Sequence, residues 1–440
     1  MGPAFRFGSA WWVAALFCGV GGGQNAPAIS YIYTQAARYE ADAGLQGGER
    51  FPAGAAAQLV SGAVRRELAP GFAASADAVV SFDGLRALFA GKQRASDPWE
   101  IWEIGIEGGK PRKVSSDPDD CIAPFYLPDG IVYACRTSAG FQLFRVARAG
   151  GDTVQLTYGP GHHIPSDVLR DGRILFDGPH QAGRDIYTIY PDGTGVETYR
   201  CDHGRDRHAA REVSSGDIVF ETGGRLARFT SARAAQMDVT QPAGEVAGPV
   251  AEIAPGEWLV SYRPSPGAPY RLYRMRGGQA LPEKAADASG ANALQPVLVR
   301  PHPAPKRFPS AIRERAGANL LCLNAYVSKL KIAAGSVHTA RVWELDDQGT
   351  PVVLGQAPVE SDGSFFIMAP GERAIRFELL DRAGKTVAAE KGWFWARRGE
   401  QRVCVGCHAG PEHSPENAQP LTLLRSTDPV ELLKPAGGSQ

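Results

Sequence analysis

The sequence predicts an all-β chain: a β-propeller of about six blades, then a small β-sandwich that ends in a cysteine-bearing tail. Three observations carry this. Fifty-two glycines and 33 prolines accompany an ordinary 43% of hydrophobic residues, a composition of short strands and many turns. A hairpin signal of the Asp-Gly type returns at intervals of 46, 42, 45 and about 39 residues, the length of one four-stranded blade. A proline-rich run then separates this repeating region from a second set of strands. At 440 residues, two or three domains are expected. Lys and Arg total 47 and Asp and Glu total 47, so nothing in the charge suggests a nucleic-acid or anionic-membrane partner.

Residues 1–28 read as an export signal. Arg6 gives a positive start, Ala10 to Val20 form a short apolar run, and Ala26-Pro27-Ala28 is a small-residue cleavage site. The apolar run is too short for a membrane span, so a periplasmic or otherwise exported protein that does not span the membrane after cleavage is expected. Cys18 follows Phe17, which lacks the small side chain a lipoprotein site needs.

The propeller is expected over 29–300. Its turns are Phe82-Asp83-Gly84, Pro128-Asp129-Gly130, Arg170-Asp171-Gly172, Ser215-Gly216-Asp217 and Pro255-Gly256-Glu257. A short apolar run follows each, among them Ile174-Leu175-Phe176 and Ile218-Val219-Phe220. Alternating strands come next, such as Glu100 to Ile104 and Gln142 to Val146. Ser30 to Thr34, with residues near 281–299, are expected to make a sixth blade and close the ring, since an open array leaves strand edges unpaired. Cys121 and Cys135 flank the Asp129-Gly130 turn. Pairing centred there puts Cys135 opposite Pro124, which argues against a simple cross-strand disulfide. His162, His163 and His208 recur before hairpins, where the innermost strand starts and faces the channel. Satisfying loop backbone is the simpler role for them.

Pro301 to Pro309 form a stiff connector within 301–318. A sandwich follows over 319–400. Its strands are Asn319 to Tyr326, Thr339 to Leu345, Ser364 to Met368, Ile375 to Leu380 and Thr386 to Ala388, with Gly392 to Trp395 as the last.

The tail, 401–440, contains Cys404-Val405-Gly406-Cys407-His408, the c-type haem attachment signature. Each thiol adds to one vinyl group of a single porphyrin, so the sulfurs must sit a porphyrin edge apart on a tight loop. The adjacent imidazole of His408 then reaches the iron. One covalent haem c is expected, with Trp393 and Trp395 either packed on it or serving as sandwich core. Zinc held by Cys404, Cys407 and His408 with Cys322 or a propeller residue is the alternative, though no second CxxC completes a four-ligand set. Only 32 residues follow His408 and none is methionine, so the propeller and sandwich must wall the haem or one iron face stays open.

The repeating turns and strand pairs resemble propellers of the TolB type. Gly355, Pro358 to Phe365, Ile375-Arg376-Phe377, Trp393-Phe394-Trp395, Gly399-Glu400 and the CxxCH resemble the middle domain of the hydrazine synthase alpha subunit family. Cys322 to Tyr326 are similar too. The resemblance implies a propeller ahead of a haem c domain, small-molecule redox chemistry involving nitrogen compounds or electron transfer, and partner subunits or a redox partner protein. It also implies a second haem c domain, and no second CxxCH follows in this sequence. In that family a tyrosine past the motif holds the active iron and frees the motif histidine for zinc. Glu412 stands there in this sequence, leaving His408 as the expected axial ligand, with Glu412 and His413 as alternatives. A second function class stays open: a propeller that binds protein segments, with the haem or zinc site as accessory. Whether the chain is an enzyme does not follow from these residues.

Overall fold

A computed structural model of the chain describes residues 29–180, 183–200, 206–283, 290–407, 413–414 and 416–433. The expected signal segment, Cys18, Cys201, His408 and Glu412 lie outside them.

Eight four-stranded sheets make up the described fold, six in the propeller and two in the sandwich. Five blades run in sequence order from the inside outwards. Their inner strands are Ala74–Val80, Cys121–Leu127, Ile164–Val168, His208–Glu212 and Glu245–Ala254 (blades 2 to 6). Each inner strand joins its second strand through one of the five expected turns. Blade 1 differs. Its inner strand, Asn292–Leu298, comes from the end of the propeller and pairs antiparallel with Ser30–Ala36. The six inner strands contact one another in an unbroken cycle, so the last strand fastens the ring.

Every inner strand breaks register against its neighbour, Glu245–Ala254 twice and the others once. At these bulges Asp77, Ala123, Ala209, Gly248 and Gln295 all take positive φ, between 52° and 73°. The bulge turns a backbone N–H sideways, and in three seams a carboxylate of the preceding blade accepts it. Ala123 donates to Asp77 at 3.0 Å, Ala209 to Asp177 at 3.0 Å, and Gly248 to Glu221 at 3.2 Å. The seams between blades are otherwise apolar clusters, including Phe125, Leu143, Ile174 and Phe176 between blades 3 and 4.

Blade 3 corrects the expectation about cysteine. Cys121 and Cys135 are joined by a disulfide, their Cα atoms 4.1 Å apart. Two local shifts bring them together. The hairpin closes at Leu127↔Gly130, so its loop is Pro128-Asp129, one residue earlier than the Asp-Gly signal suggests, which shifts the pairing by two positions. The bulge between Ile122 and Phe125 removes one more position. Together these move the partner of Cys135 from Pro124 to Cys121.

The connector lies along the propeller. His302 N donates to Phe82 O at 2.9 Å and Lys306 N to Arg170 O at 3.0 Å, on the turns of blades 2 and 4. A Cβ on Gly84 or Gly172 would come within 2.8 Å of Pro301 N or 2.4 Å of Lys306 O, so glycine at these turns admits the connector as well as the positive φ. Phe308 stacks on Tyr190 with centroids 3.9 Å apart, and Ser310 donates to Asp192 at 2.7 Å.

One sandwich sheet holds Pro351–Pro358, Thr339–Leu345, Ile375–Leu380 and Thr386–Ala389; the other holds Gln401–Cys404, Ala318–Cys322, Phe365–Ala369 and Val430–Glu431. Their core packs Leu320, Val342, Leu354, Phe365, Ile367 and Ile375. Gly392 to Trp395 is not a strand. Phe394 makes a single bridge with Ile375, and the chain then leaves the sheet to place Trp395 against the propeller. The strand that enters the cysteine loop is Gln401–Cys404, parallel to Ala318–Cys322.

Candidate haem-attachment site

Cys404 ends its strand in register with Cys322, and Leu323 N donates to Cys404 O at 2.9 Å. The turn after it carries Gly406 against the 324–327 backbone, where a Cβ would meet Val327 O at 2.0 Å. Only glycine passes here, so the two cysteines sit on one tight loop. Cys407 is buried in the sandwich core, and Cys404 is half-buried. Burial, reinforced by the charge of Glu390, pushes the Cys407 thiol up to about 12. Burial raises Cys404 too, and it carries Cys322 well above the ordinary thiol value.

The donor geometry bears on the zinc alternative. Among the described residues, Asp117, Cys121 and Cys135 are the one group of three ligand atoms within 4.8 Å of one another, and its two sulfurs already form the disulfide. Cys322, Cys404 and Cys407 do not gather that closely. No third ligand joins Cys404 and Cys407 among the described residues, and His408 lies outside them.

Glu390, whose charge reaches both cysteines, lines a cavity of about 280 Å³ between the sandwich and blade 4. Trp393, Phe394, Glu390 and Leu330 form one wall; Tyr187 and Val196 of the propeller form the other. Trp393 is half-buried under the Arg376 guanidinium, 4.8 Å from its ring centroid. Trp395 borders the cavity but serves mainly as a wedge between the domains. Its Nε1 donates to Leu156 O at 3.1 Å, and its ring meets His163 edge-on at 5.1 Å. Burial depresses the His163 pKa to about 3, so the imidazole stays neutral in this apolar seam. Arg397 Nη1 donates to Gln155 O at 2.9 Å and Tyr158 Oη at 2.6 Å. Glu400 accepts from Gly195 N at 3.1 Å and Arg397 N at 2.7 Å. The Gly-Glu before the motif therefore locks the cysteine strand to blade 4. His413 is among the described residues, with no contact that ties it to the cysteines.

The histidines divide. His162 Nδ1 accepts Phe141 N–H at 3.1 Å, the backbone role expected of it. His163 faces the domain seam, and only His208 of the three faces the channel. There it lines a cavity of about 110 Å³ with Asp177 and Ser166, two residues the sequence reading passed over. The available signal was an acid after the same apolar run in adjacent repeats, Ile174-Leu175-Phe176-Asp177 and Ile218-Val219-Phe220-Glu221.

The fold and the loop define a class: a six-bladed propeller fastened to a sandwich that presents paired cysteines at its edge. Residues 328–409 match the family described as the hydrazine synthase alpha subunit middle domain. The structure is similar to Kuenenia stuttgartiensis hydrazine synthase, with a TM-score of 0.78 at 16% identity, over 91% of this chain and 72% of that one. It is also similar to TolB from Acinetobacter baumannii, with a TM-score of 0.48 at 11% identity, over 62% of this chain and 67% of that one. No curated protein sequence matches the chain.

Proposed function

We propose that this chain is an exported haem c protein of the hydrazine synthase alpha-like type, acting in electron transfer or in redox chemistry of a small, nitrogen-containing molecule. One observation supports it above the others: the CxxC turn follows a strand tied to blade 4 through Glu400, and Glu390, whose charge reaches both cysteines, lines an aromatic-walled cavity. Haem c, when bound, supplies an iron centre that exchanges single electrons or takes a small ligand. Cys404 and Cys407 would hold it through thioethers, and Trp393 and Phe394 would face its edge. His408 is the proposed axial ligand, with Glu412 and His413 as the other candidates. A redox partner protein or further subunits would exchange electrons with it. Among the described residues no helix is long and apolar enough to cross a membrane. The competing reading, a protein-binding propeller, has less support. The connector residues Pro303 and Pro305 border one end of the channel, and the cavity inside suits a small molecule better than a peptide.

The test is expression of the full chain in a host with cytochrome maturation. Mature protein is expected to retain one haem after denaturation, by intact mass and haem-stained gel. A carbon monoxide difference spectrum then separates an open iron from a closed one. Protein whose mass equals its polypeptide alone would overturn the reading.

A further inference from the structure

Three carboxylates occupy the same role in the propeller seams, and two of them are saturated. Asp77 accepts Arg50 Nη1 at 2.9 Å, Arg50 Nη2 at 2.5 Å, Gln295 Nε2 at 2.6 Å and the Ala123 amide. Glu221 accepts Gly224 N at 3.2 Å on one oxygen, and the Gly248 amide with His208 Nε2 at 2.9 Å on the other. Asp177 spends Oδ2 on the Ala209 amide, and its Oδ1 has no hydrogen-bond partner. The residue is 6% exposed and lines the channel cavity. Ser166, also 6% exposed and on the same wall, has an unpartnered Oγ.

The charges around this cavity fix the sign of what would complete it. Arg50 is held by Asp77, and Arg211 by Asp167 at 3.4 Å while its guanidinium covers Phe125. His208 is paired with Glu221 through Nε2; its Nδ1 is buried without a hydrogen bond, 3.9 Å from Asp206 Oδ2. Each cation on the wall thus has its own carboxylate, whereas Asp177 has one amide and a free oxygen. Asp177 and Ser166, each with one covered and unpartnered oxygen, line this space together with Tyr39 and Phe125. Buried acceptors beside aromatic faces favour a compact cation carrying N–H groups. A cavity of about 110 Å³ holds a few heavy atoms.

We propose that the propeller channel is a binding site for a small protonated amine, seated on Asp177 Oδ1 and Ser166 Oγ between Tyr39 and Phe125. The site is separate from the cysteine loop and does not depend on the haem reading. The test titrates methylammonium chloride into the full chain at pH 7.5 and constant ionic strength, read by calorimetry and by chemical-shift perturbation. Potassium chloride, tetramethylammonium chloride and sodium acetate serve as comparisons. Saturable binding of methylammonium is expected, at least tenfold weaker for Asp177→Asn and several-fold weaker for Ser166→Ala. Should Asp177→Asn not fold, the Ser166→Ala titration decides. Equal binding of potassium or acetate, unchanged affinity in both variants, or no saturable methylammonium binding would each overturn the proposal.

Discussion

Blade 3 and the C-terminal loop each bring two cysteines together, and the backbone decides their chemistry. In blade 3 the pair sits on neighbouring antiparallel strands with Cα atoms 4.1 Å apart, a separation a disulfide spans. In the tail the half-buried Cys404 ends an edge strand and the buried Cys407 follows a glycine-pinned turn, both as free thiols. The first arrangement closes on itself. The second leaves two unbridged sulfurs on one loop, and the wedge of Trp395, Arg397 and Glu400 ties the neighbouring chain to blade 4.

The contrast yields four expectations, the largest first. Replacing both Cys404 and Cys407 by serine should abolish covalent haem altogether, whereas serine at Cys121 and Cys135 should leave it intact; haem-stained gels of the matured proteins decide this. Trp395→Ala should remove the wedge at a cost of about 3–5 kcal/mol, as buried tryptophan truncations do. Calorimetry should show the propeller and sandwich unfolding separately in this variant. The Cys121→Ser, Cys135→Ser protein should lose about 3 kcal/mol, the loop-closure value for cysteines 14 residues apart, measured by urea unfolding. The smallest effect concerns pH. Burial raises the Asp177 pKa to about 6 in the folded chain, above its ordinary value near 3.8. Its protonated form therefore favours the fold below about pH 4, and that advantage disappears as pH rises through 6. Asp177→Asn keeps a neutral side chain throughout, so between pH 4 and 7 it should gain about 2 kcal/mol on the parent protein, less than the full linkage of such a shift. Parallel stability curves for the two would show that this carboxyl does not titrate in that range.

The sequence displayed the ring clearly because each blade repeats a turn followed by an apolar run, and local chemistry suffices to read such a unit. All five turns lie between the first and second strands of their blades. The strand that closes blade 1 was legible by the need to cover an edge more than by its residues. Where the reading failed, a non-local contact had intervened. The Cys121–Cys135 bridge depends on a bulge at Ala123, and an alanine gives no warning of positive φ. Gly392 to Trp395 has the composition of a strand, but Trp395 is drawn out of the sheet by a carbonyl 239 residues away, that of Leu156. The cysteine motif showed its spacing and not its surroundings. Neither the Tyr187 and Val196 wall nor the Glu400 clamp can be inferred without knowing which blade the sandwich meets. Asp177 was hidden in another way: its partner at Ala209 is an amide, and amides leave no mark in a sequence.

The clasp between Ser30–Ala36 and Asn292–Leu298 has a consequence for how this polypeptide comes into being. Its opening strand emerges from the ribosome long before the segment that must lie beside it, so the circle stays incomplete until nearly three hundred residues have been made. Until then Ser30–Ala36 lacks the inner strand that fastens blade 1 to the rest of the ring.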